Sequence, residues 1–210
     1  MGSTMKLQKQ LRKKRRGQKG FSLLEVLIAM IVMTIGLLAV ILSFGTAIEA
    51  TEWAQEDLIA RHKALDAMES IYTARNSQQL PFAQINNVVN GGVFLSGAQP
   101  LLCAGQDGLV GTADDVACTA PDTGAACPGG IECLMLPGPD GILGTADDTT
   151  ETLANFTRTV TFSQTFLPAA QGGGVNTNLI AVAITINYTK AGRYGLNRSY
   201  TVNGLISSYH

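Results

Sequence analysis

A chain of 210 residues, 46% apolar and 15% charged, is too apolar for wholesale disorder and has room for one or two domains. Its net charge of −1 conceals an asymmetry: eight of the fifteen Lys and Arg precede Gly20, where there is no Asp or Glu, and the rest carries seven basic against sixteen acidic residues, a net of −9. A basic run can neutralise phosphate, but this one abuts a long apolar stretch, so it is read as flanking a membrane span and no nucleic-acid partner is expected.

Residues 1–20 form that basic leader. The apolar run that follows, 21–44, is interrupted by one charge, Glu25, and about 20 helical residues suffice to cross about 30 Å of hydrocarbon. Positive charge stays on the cytoplasmic side, so the N-terminus is expected inside and everything after the span outside. An ordinary cleavable signal peptide has a shorter apolar core ending in small residues. Here Met33, Leu37, Leu38, Val40, Ile41 and Leu42 lead on into further helix. The leading Met-Gly is not a myristoylation signal, since Lys6 stands where Ser or Thr is needed.

The helix is expected to run on through 45–75, with Gly36 and Gly45 but no proline to break it. Ile48, Trp53, Leu58, Ile59, Leu65, Met68, Ile71 and Tyr72 recur at helical spacing, with Glu49, Glu52, Glu56, Asp57, Arg61 and Asp66 between them. Such a stripe needs a globular partner. A helix over 21–75 would be about 80 Å long at 1.5 Å per residue.

Residues 76–152, rich in Gly, Pro, Asp, Asn and Ser, read as a long loop region, and loops of that length are functional or stapled. Within it Gly105-Gln106-Asp107-Gly108-Leu109-Val110-Gly111-Thr112-Ala113-Asp114-Asp115 recurs as Gly138-Pro139-Asp140-Gly141-Ile142-Leu143-Gly144-Thr145-Ala146-Asp147-Asp148. Two copies are too few for a solenoid. Three carboxylates and several glycines in each copy suit a hard cation, and Ca²⁺ on Asp107, Asp114 and Asp115 or on Asp140, Asp147 and Asp148 is one expectation. The spacing is not that of an EF-hand. The plainer alternative is that Asp-Gly marks tight turns and the Asp-Asp pairs cap them. Cys103, Cys118, Cys127 and Cys133 lie beyond the span, where an even count favours disulfides over zinc, whose ligands come in closer pairs. Four cysteines allow three connectivities, and proximity favours Cys103 with Cys118 and Cys127 with Cys133.

Residues 153–210 alternate in the manner of strands. Phe156, Arg158, Val160 and Phe162 share one side; Ile180, Val182, Ile184, Ile186 and Tyr188 share another; Tyr200, Val202, Gly204 and Ile206 follow a turn-rich connection at 190–195. An antiparallel meander covering the helix stripe gives an α+β head. Nothing points to catalysis: His62 falls on the helix, His210 is terminal, and no phosphate-binding loop follows a strand. The sequons at Asn155 and Asn197 are short enough to occur by chance.

The junction Lys19-Gly20-Phe21-Ser22-Leu23-Leu24-Glu25 carries the sharpest signal. A carboxylate at the start of a membrane helix is costly and wants a partner, yet no Lys or Arg lies in the run to pair with Glu25. A cut after Gly20 would free an amine on Phe21, badly placed within one chain but well placed across two staggered helices. The alternative is a carboxylate that snorkels or binds water.

This stretch resembles the class III signal of type IV prepilins and type II secretion pseudopilins. The resemblance implies cleavage between Gly20 and Phe21 by a prepilin peptidase, N-methylation of Phe21, and an assembly role for Glu25. It also implies the lollipop fold of that family, with partners among other pilin subunits through their N-terminal helices and at the inner-membrane assembly platform. The protein would cross the inner membrane once before joining a periplasmic or extracellular pilus serving adhesion or motility. The continuation Ile35-Gly36-Leu37-Leu38 is similar to PilV-like minor pilins, and the chain lacks the proline that many major pilins carry further along this helix. A major pilin, a pseudopilin and a membrane-anchored calcium-binding protein that never polymerises remain alternatives.

Overall fold

The computed structural model describes residues 22–120, 124–189 and 196–209. The leader with Gly20 and Phe21, the 190–195 connection and His210 lie outside them. The chain divides into two compact units, Met1–Ile48 and Glu49–His210, and one helix, α1 (Leu23–Asn76), contributes to both.

In the first unit every described residue is exposed, Leu23 at 83% and Leu42 at 72% among them. A helix of this length and composition can cross a membrane. Thr34 and Thr46 donate their hydroxyls to the carbonyls of Ile31 and Ser43, satisfying those two donors within the helix.

The second unit is α+β. Its sheet has the order β1-β4-β5-β6, all neighbours antiparallel, from β1 (Gln99–Pro100), β4 (Phe156–Phe166), β5 (Val175–Thr189) and β6 (Asn197–Ser207). The pairs Val160↔Ile184 and Ile184↔Val202 set the register that puts Phe156, Val160, Val182, Ile184, Ile186 and Ile206 on the inner face. Phe156 stacks on Tyr188 at 5.3 Å between ring centres, and Phe94 meets Phe162 at 5.0 Å. Each such side chain contributes about 1.5–3 kcal/mol by leaving water.

The face of α1 that packs here takes in only part of the stripe read from the sequence, with Met68 and Ile71 buried and Ile59 and Tyr72 packed beside them, and is otherwise lined by alanines. Ala60, Ala64, Ala67, Met68, Ile71 and Ala74 are buried, whereas Ile48, Trp53, Leu58 and Leu65 are exposed. Alanines let the helix backbone approach the sheet, and Gly204 of β6 does the same from the other side. A Cβ at Gly204 would lie 2.6 Å from Tyr72 Oη and 3.0 Å from Met68 Sδ. Hydrogen bonds tie the contact: Tyr188 Oη donates to Asp57 (2.8 Å), Tyr72 Oη to the Leu205 carbonyl (3.1 Å) and Arg75 to the Ser208 carbonyl (2.7 Å).

The 76–152 region is more ordered than turns alone. It holds β1 and a separate two-stranded sheet of β2 (Cys133–Leu136) and β3 (Thr149–Thr152), in register from Cys133↔Thr152 to Leu136↔Thr149. Strands of two and four residues, one of them Thr-Thr-Glu-Thr, are too short to leave a legible alternation.

Candidate functional site

Glu25 sits in the first turn of α1, exposed, its backbone N–H bonded to the Ser22 carbonyl at 2.9 Å. Its carboxylate is the one charge in an apolar surface, and a helix N-terminus tolerates a negative charge there. Phe21, its expected counterpart, lies outside the described residues.

The two acidic repeats fold alike. Asp107 accepts the Leu109 N–H at 2.8 Å, and Asp140 accepts the Ile142 N–H at 2.9 Å. Asp115 accepts the Gly111 and Thr112 amides, at 2.8 and 3.3 Å; Asp148 accepts those of Gly144 and Thr145, at 2.6 and 3.1 Å. The Thr112 hydroxyl donates to Asp114 (2.7 Å) and the Thr145 hydroxyl to Asp147 (2.6 Å). Gly108 and Gly141 have φ of +68° and +70°, and Gly111 and Gly144 +87° and +88°, a region in which only glycine is unstrained. A side chain at Gly105 or Gly138 would run into Asp114 or Asp147, within 2.1 and 2.3 Å.

The six aspartates are thus brought together three by three, but their oxygens are turned onto N–H and O–H donors of their own loops. Among the described residues no group of three or more His, Cys, Asp or Glu is arranged to hold a metal. The electrostatics still strain in the first loop: burial and the nearby Asp114 raise the Asp107 pKa above its ordinary value, against the Leu109 and Thr112 hydrogen bonds. The Thr112 hydroxyl and the Asp107 amide lower that of Asp114, and the Thr145 hydroxyl lowers that of Asp147.

Cysteine pairing brackets the first loop and lies just ahead of the second. Cys103–Cys118, with Cα atoms 5.1 Å apart, closes the first copy, and Cys127–Cys133, at 5.7 Å, fixes the start of β2 ahead of the second. The Leu153 N–H bonds to the Glu132 carbonyl at 2.9 Å beside it.

One polar cluster escaped the reading of the sequence. Arg158, 3% exposed on the inner face of β4, faces Asp115 at 3.9 Å and donates to the Leu102 carbonyl at 3.4 Å. Burial lowers its pKa, and Asp115 and Glu132 work the other way. Lys63 of α1 pairs with Glu132 and with Asp66 (3.8 Å). The signal was an arginine sharing a strand face with Phe156, Val160 and Phe162, which demands a buried anion. Its partners come from separated segments, and no local pattern announces them.

Residues 15–41 match the prokaryotic N-terminal methylation motif. That match supports a type IV pilin-like or pseudopilin protein, membrane-anchored and processed at its N-terminus. No curated protein and no solved structure matches the chain.

Proposed function

We propose that the chain is a minor subunit of a type IV pilus. It is made as a single-pass inner-membrane prepilin with its N-terminus in the cytoplasm, is cut by prepilin peptidase between Gly20 and Phe21, is methylated on Phe21, and joins other pilin subunits at the inner-membrane assembly platform. The observation that carries this is the methylation motif at 15–41, followed without a break by a helix able to span a membrane. The Phe21 amine released by the cut neutralises Glu25 of a neighbouring helix, so the carboxylate acts as a registry charge that is cheap only once subunits assemble. The Ile35-Gly36-Leu37-Leu38 stretch and the proline-free α1 favour a minor over a major subunit.

N-terminal mass spectrometry of sheared filaments tests the proposal. A chain starting at methylated Phe21, at low stoichiometry, supports it, and a mature chain retaining Met1 refutes it. A dominant band would make it the major pilin, and loss of a secreted enzyme on deletion would make it a pseudopilin.

Calcium at one or both acidic loops belongs to the same proposal. Asp107 and Asp114 crowd their charge in the first loop, and a cation held there with backbone carbonyls and water would relieve it. Raised thermal stability of the full chain in detergent on adding calcium supports this, and an unchanged melt with calcium or chelator leaves the six aspartates as turn formers.

A further inference from the structure

The acidic loop occurs twice in one internal geometry but in opposite surroundings. In the first copy Leu109 and Thr112 are each 3% exposed, and a Cβ at Gly111 would lie 3.4 Å from Val160 Cγ2. Asp115 faces the buried Arg158. This copy is docked: an apolar side chain enters a hollow, and a carboxylate meets a guanidinium at its edge.

The second copy presents the same surface to solvent. Ile142 replaces Leu109 and is 60% exposed, and Leu143 replaces Val110 and is 55% exposed. Among the described residues Asp140, Asp147 and Asp148 have no ion-pair partner. The loop forms the tip of the β2–β3 hairpin, a sheet separate from the four-stranded one, whose base is held by Cys127–Cys133 and by Leu134 packed against the core. With its base fixed, the hairpin carries two adjacent large aliphatic side chains out into solvent at its tip, and such an exposed apolar pair marks an interaction site.

We propose that this tip is a docking element that seats Ile142 and Leu143 in an apolar hollow flanked by an arginine on a neighbouring filament subunit, as the first copy seats Leu109 and Asp115 beside Arg158 in its own chain. The proposal rests on the pilus reading above. Charge complementarity selects the partner: three carboxylates around two aliphatic side chains fit a basic-rimmed apolar hollow, whereas the anionic headgroups of a lipid surface would repel them. The loop's own carboxylate–amide bonds hold it in shape beforehand, so docking orders little that is not already ordered.

The test places a photo-crosslinking amino acid at Leu143 of the full-length chain in cells bearing filaments, with Val89, another exposed residue of the same unit, as control. The expected result is several-fold more product from Leu143 than from Val89, joined to a subunit peptide that contains Arg or Lys among apolar residues. With the crosslinker moved to Leu136, Ile142→Ser with Leu143→Ser should cut the product several-fold while the melting temperature and both disulfides persist. Equal yields at Leu143 and Val89, lipid adducts, or an acidic linked peptide would overturn the docking role and leave the pilus reading standing. Failure to find the unaltered chain in filaments would overturn both.

Discussion

Two carboxylates show how location decides what one residue type does. Glu25 is exposed on an apolar helix surface, and Asp115 is held against Arg158. Glu25→Ala should leave leader removal intact while reducing incorporation into filaments, measured as the ratio of filament to membrane protein; unchanged incorporation would refute the Phe21–Glu25 pairing. Asp115→Ala removes the anion beside a guanidinium that is 3% exposed, and breaking a buried pair costs about 3–5 kcal/mol. Asp148→Ala, at the same place in the second loop, loses only hydrogen bonds worth about 1 kcal/mol each. Denaturant unfolding of the two variants in detergent checks the difference, and equal losses would mean that Arg158 does not depend on Asp115. Tyr188 offers an independent probe. Burial, with its hydrogen bond to Asp57, raises its pKa to about 12 from the ordinary 10.0. A tyrosine whose pKa is raised by folding stabilises the fold fully below pH 10.0 and loses that contribution as pH rises toward about 12. Tyr188→Phe should therefore flatten the alkaline unfolding profile across that window; an unchanged profile would sink the assignment.

The elements differ in how plainly the sequence announces them. The β4-β5-β6 meander was legible because its strands are long enough to alternate, down to Arg158 lying inward among apolar neighbours. The helix was legible as a helix, but its buried face only in part: Met68 and Ile71 were read as apolar stripe, the alanines were not. Trp53, Leu58 and Leu65 dominate any apolar count, yet the sheet chooses Ala60, Ala64 and Ala67 because close approach is decided by size, not by hydrophobicity. β2 and β3 were lost in a turn-rich background. Their stability comes partly from Cys127–Cys133, and that of the first loop from Cys103–Cys118, with sequence separations of 6 and 15. On loop entropy alone, replacing the Cys103–Cys118 pair with serines should cost about 3 kcal/mol, somewhat more than replacing the shorter one. Equal or inverted losses in denaturant midpoints would show that strain or packing outweighs loop length.

At the scale of the molecule, the charge beyond Gly20 is acidic and part of it is concentrated in the two loops. Asp114 and Asp147 titrate below the ordinary 3.8, so what they contribute is present above that pH and fades as pH falls through their lower folded values. Asp107, raised, works in the opposite sense and offsets part of the loss in the first loop. Acidification below pH 3.8 should accordingly speed amide exchange in 138–148 before it touches the β4–β5 ladder; simultaneous loss would contradict this order. The N-terminal methylation motif was legible because a local string carries it, whereas the Lys63–Glu132 and Arg158–Asp115 cluster was not, since folding alone assembles it.

The second loop begins and ends at paired strand positions, Leu136 opposite Thr149, and the carboxylate bonds that shape it close within 138–148. It is therefore a cassette, exchangeable without consulting the rest of the fold. Replacing residues 137–148 by an Asn-Gly turn should leave the four-stranded sheet folding as before.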